Sequence, residues 1–268
     1  MAMRNPTSRL HCRRALGALP PVRRARTVVL GAVLAIGATL AVPIVSSVGR
    51  PKLASAHADS CPDIQVVFAR GTGEPPGSGR VGEAFAESLR SLVTGKSVAV
   101  YGVNYPASHE FLRAVDGAND ASLFVQGMAV SCPRSRMVLG GYSQGAAVID
   151  IITVAGQPIF GFADPLPDGI AEHVAAVAIF GNPSNKIAGP LTALSPLYGY
   201  KTIDLCNGAD PVCSGGNDVP AHSLYAESGL TTQAAQFVVD RLTNEQTTEL
   251  TVVSTENCSS ASGSLCSD

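Results

Sequence analysis

Tryptophan is absent from this 268-residue chain and aromatic residues make up only 5% of it. Stacking on a polysaccharide is therefore disfavoured, although six tyrosines remain. Acidic residues are missing altogether from residues 1–58, a stretch that holds nine of the 19 Lys and Arg. Also missing are Cys/His pairs clustered at two- to four-residue spacing, which argues against a structural zinc site. No internal repeat is present.

The charge asymmetry marks the N-terminus as a separate object. Seven arginines (Arg4, Arg9, Arg13, Arg14, Arg23, Arg24 and Arg26) precede an apolar run from Thr27 to about Val45, and Ala54-Ser55-Ala56-His57-Ala58 follows. Basic, apolar and small-residue segments in that order read as a secretory signal peptide over 1–58, cut after Ala56 or Ala58. The alternative is an uncleaved anchor, because the apolar run approaches the roughly 20 residues that cross a bilayer.

Without that leader, 210 residues carry ten Lys and Arg against 21 Asp and Glu, a formal charge of −11. Such a balance disfavours nucleic acid and anionic membranes as partners. The length suits one enzyme domain with a substantial core. Cys12 falls in the leader, so Cys61, Cys132, Cys206, Cys213, Cys258 and Cys266 form an even set. In an exported chain an even set favours disulfides, but spacing alone leaves every pairing open.

From Ile64 onward, short apolar runs alternate with stretches of helical periodicity. Ile64–Ala69, Val98–Val103, Met137–Gly141, Val174–Phe180 and Lys201–Leu205 read as strands, apolar enough to be buried on both faces of a parallel sheet. Val81–Val93, Ala118–Val130, Gly145–Val154 and Thr231–Leu242 place apolar residues three and four apart and read as helices. Gly71–Arg80, Gly156–Gly169 and Gly181–Gly199 read as loops from their Gly, Pro and Ser content. The layout is one α/β domain over 59–242, followed by a polar tail over 243–268.

Gly141-Tyr142-Ser143-Gln144-Gly145 stands directly between a strand and a helix. A serine there sits on a strained turn with its hydroxyl exposed, and the flanking residues must be small for the chain to reverse. Ser143 is the candidate nucleophile, which requires a base. Of the three histidines after the leader, His109 precedes the nucleophile and His173 lies at the amino end of its strand. His222 follows the last strand, on the side toward which the turn points, and is the candidate base. The acid that orients it is placed at Asp210, between Cys206 and Cys213, ahead of Asp204 and Asp218. For an oxyanion, the Gln144 N–H is one donor and Thr72, in Arg70-Gly71-Thr72-Gly73-Glu74, is the candidate second.

Taken together, Phe68-Ala69-Arg70-Gly71-Thr72-Gly73-Glu74, Asn104-Tyr105-Pro106-Ala107, Cys132-Pro133, Gly140 through Gly145, and Cys206 to Cys213 around Asp210-Pro211 resemble the cutinase family, in its mycobacterial-type branch. The resemblance implies an α/β-hydrolase three-layer sandwich with a five-stranded parallel sheet. It implies hydrolysis of carboxylic esters of short-to-medium acyl chains, with an ester or lipid as substrate and neither metal nor cofactor. It further implies Cys61–Cys132 and Cys206–Cys213 disulfides, leaving Cys258 to Cys266. A monomer is expected, secreted and either released or held at the cell envelope. An acyltransferase would use the same first half-reaction, whereas a binding protein on a spent hydrolase scaffold would not need all three residues.

Overall fold

The computed structural model describes residues 61–159 and 161–244, all within the unit Leu53–Asp268. The expected leader, the Cys258–Cys266 pairing and nearly all of the tail lie outside the described residues. Among those described, no helix is long and apolar enough to cross a membrane.

Five parallel strands, β1 (Ile64–Ala69), β2 (Val98–Gly102), β3 (Arg136–Tyr142), β4 (Val174–Phe180) and β5 (Thr202–Leu205), form one sheet in the order β2-β1-β3-β4-β5. The strands β1 and β4, which flank the central β3, are buried throughout, as their nearly unbroken apolar sequences require. Register runs from Ile64 beside Val98 and Arg136 to Val177 beside Thr202, with one irregularity between Met137 and Val138. Two-residue periodicity divides each strand between two cores. Val67, Ala69, Leu139, Val177 and Ile179 face one core, and Ile64, Val66, Phe68, Val138, Ala178 and Phe180 face the other.

The first core is closed by α2 (Ala114–Ser131) and α3 (Gln144–Val154). Helix α2 buries mainly small residues, Ala114, Gly117, Ala118 and Ala121, which lets it lie close to α3. A β-carbon on Gly117 would come within 3.0 Å of both the Tyr105 ring and Val148. The second core is closed by α1 (Gly79–Leu92), through Val81, Phe85 and Leu89, and by a final helix over 230–244 through Ala234, Ala235 and Val238. Phe68, Phe85 and Phe180 meet at its centre, with ring centroids 5.9 to 6.2 Å apart. Burying each such ring contributes about 1.5–3 kcal/mol.

Residues 181–199 depart from the loop expected there, because they contain a 3₁₀ turn (Pro183–Lys186) and the short α4 (Leu191–Leu194). Asn182 starts the turn by accepting the Ser184 N–H at 2.9 Å, with Pro183 preset for a helical first position.

The strand order reverses between β1 and β3. Connections leave those two strands to opposite sides, opening a crevice beyond their carboxyl ends where folds of this class hold ligands. The loop after β1 carries Thr72 and the turn after β3 carries Ser143.

Candidate active site

Ser143 joins β3 to α3 with φ 55° and ψ −117°, one of two non-glycine residues among those described with positive φ. A left-handed serine stores strain that the surrounding chain must hold. Close backbone packing on both sides does so. A β-carbon on Gly141 would lie 2.2 Å from the Gly145 oxygen, and one on Gly145 would lie 1.9 Å from the Ala69 oxygen. The Ser143 N–H is bonded to the Phe180 carbonyl at 2.9 Å, which fixes the turn against β4. The same-sequence expectation that flanking positions be small thus has a backbone cause.

His222 occupies a 3₁₀ turn (Pro220–Ser223), and its Nε2 lies 2.9 Å from the Ser143 hydroxyl oxygen. Its Nδ1 lies 2.8 Å from Asp210 Oδ2. With Nδ1–H donating to the carboxylate, Nε2 is left as the acceptor for the serine proton, the arrangement a general base needs. Asp210 is wholly buried and His222 partly so. Ser143 is thereby brought into line with a histidine 79 residues further along the chain and with its acidic partner.

The loop between Cys206 and Cys213 is closed by a disulfide, and a second disulfide joins Cys61 to Cys132, tying the chain ahead of β1 to the end of α2. Cys206, Asp210 and Cys213 converge closely enough to suggest metal ligation, but the two sulfurs are bonded to each other and offer no thiolates. Within the loop, the Val212 N–H donates to Asp210 Oδ1 at 2.8 Å and the Tyr225 hydroxyl donates to Oδ2 at 2.7 Å.

On the other side of Ser143, the Thr72 loop is braced at several points. Gly71 N–H and Arg80 N–H donate to the two Glu74 carboxylate oxygens at 2.7 and 2.8 Å, and Gly73 N–H donates to the Ala107 carbonyl at 2.7 Å. Buried Arg70 holds the neighbouring loop through the carbonyls of Val103 and Tyr105. The Thr72 hydroxyl donates to Gln144 Oε1 at 3.3 Å, and Gln144 Nε2 donates to the Ser108 carbonyl at 3.0 Å. Gln144 is the first residue of α3, so its N–H has no partner one turn earlier and is free to face an anion.

The rival residues stand elsewhere. Asp204 lies in β5 and accepts from Asn182 and Asn185. Asp218 caps the turn that carries His222, accepting the Ala221 N–H at 3.3 Å. His173 ends the turn before β4, at the opposite end of the sheet.

Two residues of the site were not singled out by sequence. Tyr142, the second residue of the serine motif, donates its hydroxyl to the His222 carbonyl at 2.5 Å, and burial pushes its phenol up to about 12. Tyr225 follows His222 by three residues, and that one-turn spacing is the signal available for it. Its phenol is raised beyond the usual tyrosine range, first by burial and then by the bond to Asp210.

The cutinase family model matches residues 60–242. The chain is 58% identical over 192 residues to a Mycobacterium tuberculosis protein named phospholipase Culp4, covering 72% of this chain and 84% of that one. It is 57% identical over 191 residues to the probable carboxylesterase Culp3 of the same organism, covering 70% and 72%. Among solved structures it is similar to Trichoderma reesei cutinase in complex with a phosphonate inhibitor, with a TM-score of 0.56 and 31% identity over 68% of this chain and 77% of that chain. An acetylxylan esterase superposes with a TM-score of 0.58 and 26% identity, over 68% of this chain and 100% of that chain. A strained serine beside a crevice and relatives of this closeness agree: the chain belongs to the cutinase family, has the α/β-hydrolase fold, and is a carboxylic-ester hydrolase.

Proposed function

We propose that this protein is an exported serine esterase that takes the acyl group of short-to-medium chain esters onto Ser143. The observation that carries the reading is the hydrogen-bonded line from Ser143 through His222 to Asp210, starting at a serine in a left-handed backbone conformation. Ser143 Oγ attacks the ester carbonyl as His222 Nε2 takes its proton. The tetrahedral oxyanion is met by the Gln144 N–H and by Thr72. His222 returns the proton to the departing alcohol, leaving an acyl-enzyme. Water then repeats the sequence at the same histidine and releases the acid.

The substrate reading is supported by the apolar side chains on loops that leave the carboxyl ends of the strands. Leu112 follows β2, Ile187 follows β4 and Val219 follows β5, and all three are exposed, so they are available to an acyl chain. Relatives named phospholipase and carboxylesterase fit the same substrate class. Export is supported by the leader pattern and by two disulfides in the folded domain.

The test is hydrolysis of a p-nitrophenyl ester series from acetate to palmitate by the purified protein, beside Ser143→Ala. Wild-type activity with a short-to-medium optimum, reduced about 10⁴-fold or more in the variant, is expected. Near-equal rates in both proteins would overturn the assignment. N-terminal sequencing of the exported protein should begin at His57 or Asp59; recovery of the uncut chain in the membrane fraction would replace secretion by anchoring.

A further inference from the structure

Asp210 Oδ2 receives two donors, His222 Nδ1 at 2.8 Å and the Tyr225 hydroxyl at 2.7 Å. Tyr225 is fully buried, and its hydroxyl oxygen in turn accepts the Asn207 N–H at 3.1 Å. That incoming donor uses a lone pair of the phenol and directs its proton to the carboxylate. Gly181 shuts the space from below: a β-carbon there would stand 3.1 Å from both the Tyr225 hydroxyl and His222 Cε1, and 3.3 Å from Asp210 Oδ2. The ring itself packs edge-on against Phe180, Tyr142 and His222, contacts that a phenylalanine would equally make. Packing therefore accounts for the ring and leaves the hydroxyl to be explained.

We infer that Tyr225 is a positioning residue: its hydroxyl holds Asp210 in line with His222 and moderates how strongly the carboxylate draws the imidazole proton. This rests on the assignment of Ser143, His222 and Asp210 proposed above. A hydrogen bond to a carboxylate spreads its charge and lowers its basicity. An Asp210 stripped of that donor would stabilise the imidazolium more, and His222 would stay protonated to higher pH. The other titratable and charged groups around this cluster are Tyr142 at the end of β3, Glu74 on the loop after β1, Arg80 on α1 with Glu227 paired to it, Lys186, whose ammonium donates to the Pro211 carbonyl at 2.8 Å, and Asp218 on the turn that carries His222. Burial keeps the Tyr225 phenol protonated across the working range.

The experiment is the pH profile of kcat/KM on p-nitrophenyl butyrate for wild type, Tyr225→Phe, and protein carrying 3-fluorotyrosine at position 225, with Ser143→Ala as the blank. Tyr225→Phe should move the acidic limb upward by about half to one pH unit and lower kcat about 3- to 10-fold with KM unchanged. Fluorotyrosine is a stronger donor of nearly the same size and should move the limb downward. Should Tyr225→Phe fail to fold, the sign of the fluorotyrosine shift decides alone. A limb that stays at its wild-type position in every folded variant, with Ser143→Ala inactive, overturns this inference and leaves the triad standing. An active Ser143→Ala would instead remove the assignment on which it rests.

Discussion

Gly145 lies so close to the end of β1 that a β-carbon on it would reach within 1.9 Å of the Ala69 carbonyl oxygen. The obstructing atom is backbone at the carboxyl end of β1, where Ala69 is paired with Gly141 of β3, so it cannot swing away. Gly145→Ala should cost about 1–3 kcal/mol or more of stability and abolish ester hydrolysis by tilting α3 away from the strand. Thermal unfolding alongside activity checks this. A variant that melts and turns over like wild type would show that the elbow has slack.

The two disulfides should separate stability from turnover. Cys61–Cys132 spans 71 residues and Cys206–Cys213 spans seven. Loop-closure entropy then assigns about 4 kcal/mol to the first and about 2 kcal/mol to the second. Yet Asp210 lies inside the shorter loop. Replacing both cysteines of the short loop by serine should lower kcat more than replacing the long pair, while lowering the urea midpoint less. The reverse ranking would mean that the hydrogen bonds from Val212 and Tyr225 suffice to hold Asp210.

Thr72→Val removes a hydroxyl while keeping the shape of the side chain. If that hydroxyl turns from Gln144 Oε1 to a developing oxyanion, kcat should fall about 10- to 100-fold with little change in KM or melting temperature. Unaltered kcat would confine oxyanion binding to backbone N–H groups.

Asp150 gives a pH dependence unconnected with turnover. It is buried on α3, shares the Asn182 amide with Asp204 and has its Oδ2 without a hydrogen bond within 3.5 Å. Burial lifts its carboxyl from 3.8 to about 6. The folded state thus binds this proton more tightly than the unfolded chain. Ionisation lowers stability progressively as pH rises from about 4 to 6, and above that the full cost, about 2–3 kcal/mol, is present. Asp150→Asn mimics the neutral acid and should be the more stable protein at pH 8, with the two converging near pH 4. Urea midpoints across that range measure it. A lower midpoint for Asp150→Asn at pH 8 would show that the ionised form has a partner.

Sequence made the scaffold legible where one physical cause dominates. Ile64–Ala69 and Val174–Phe180 match their strands residue for residue, because strands buried on both faces leave a nearly unbroken apolar run. Chain order and strand polarity selected His222 and Asp210, which do lie in line with Ser143. Helix α2 begins at Ala114 rather than Ala118, because its first turn packs with small residues that give little periodic signal. Asp150, Asn182 and Asp204 come from three separated segments, and no spacing rule joins them before the sheet does. The same holds for the hydroxyl of Tyr225: a ring near His222 is visible in the chain, but its donation to Asp210 depends on where the Cys206–Cys213 loop settles.

Because β5 is the last strand in the chain, the chain reaches Asp210 and His222 only after it has laid down the strands that carry Thr72 and Ser143. During synthesis Ser143 emerges 79 residues ahead of His222. Until Thr202–Leu205 dock beside β4, a ribosome-bound or prematurely terminated chain holds a serine hydroxyl no more reactive than any other. Appearance of hydrolysis is therefore a clock for completed folding, and a fragment ending before residue 222 should be inert however well its five strands assemble.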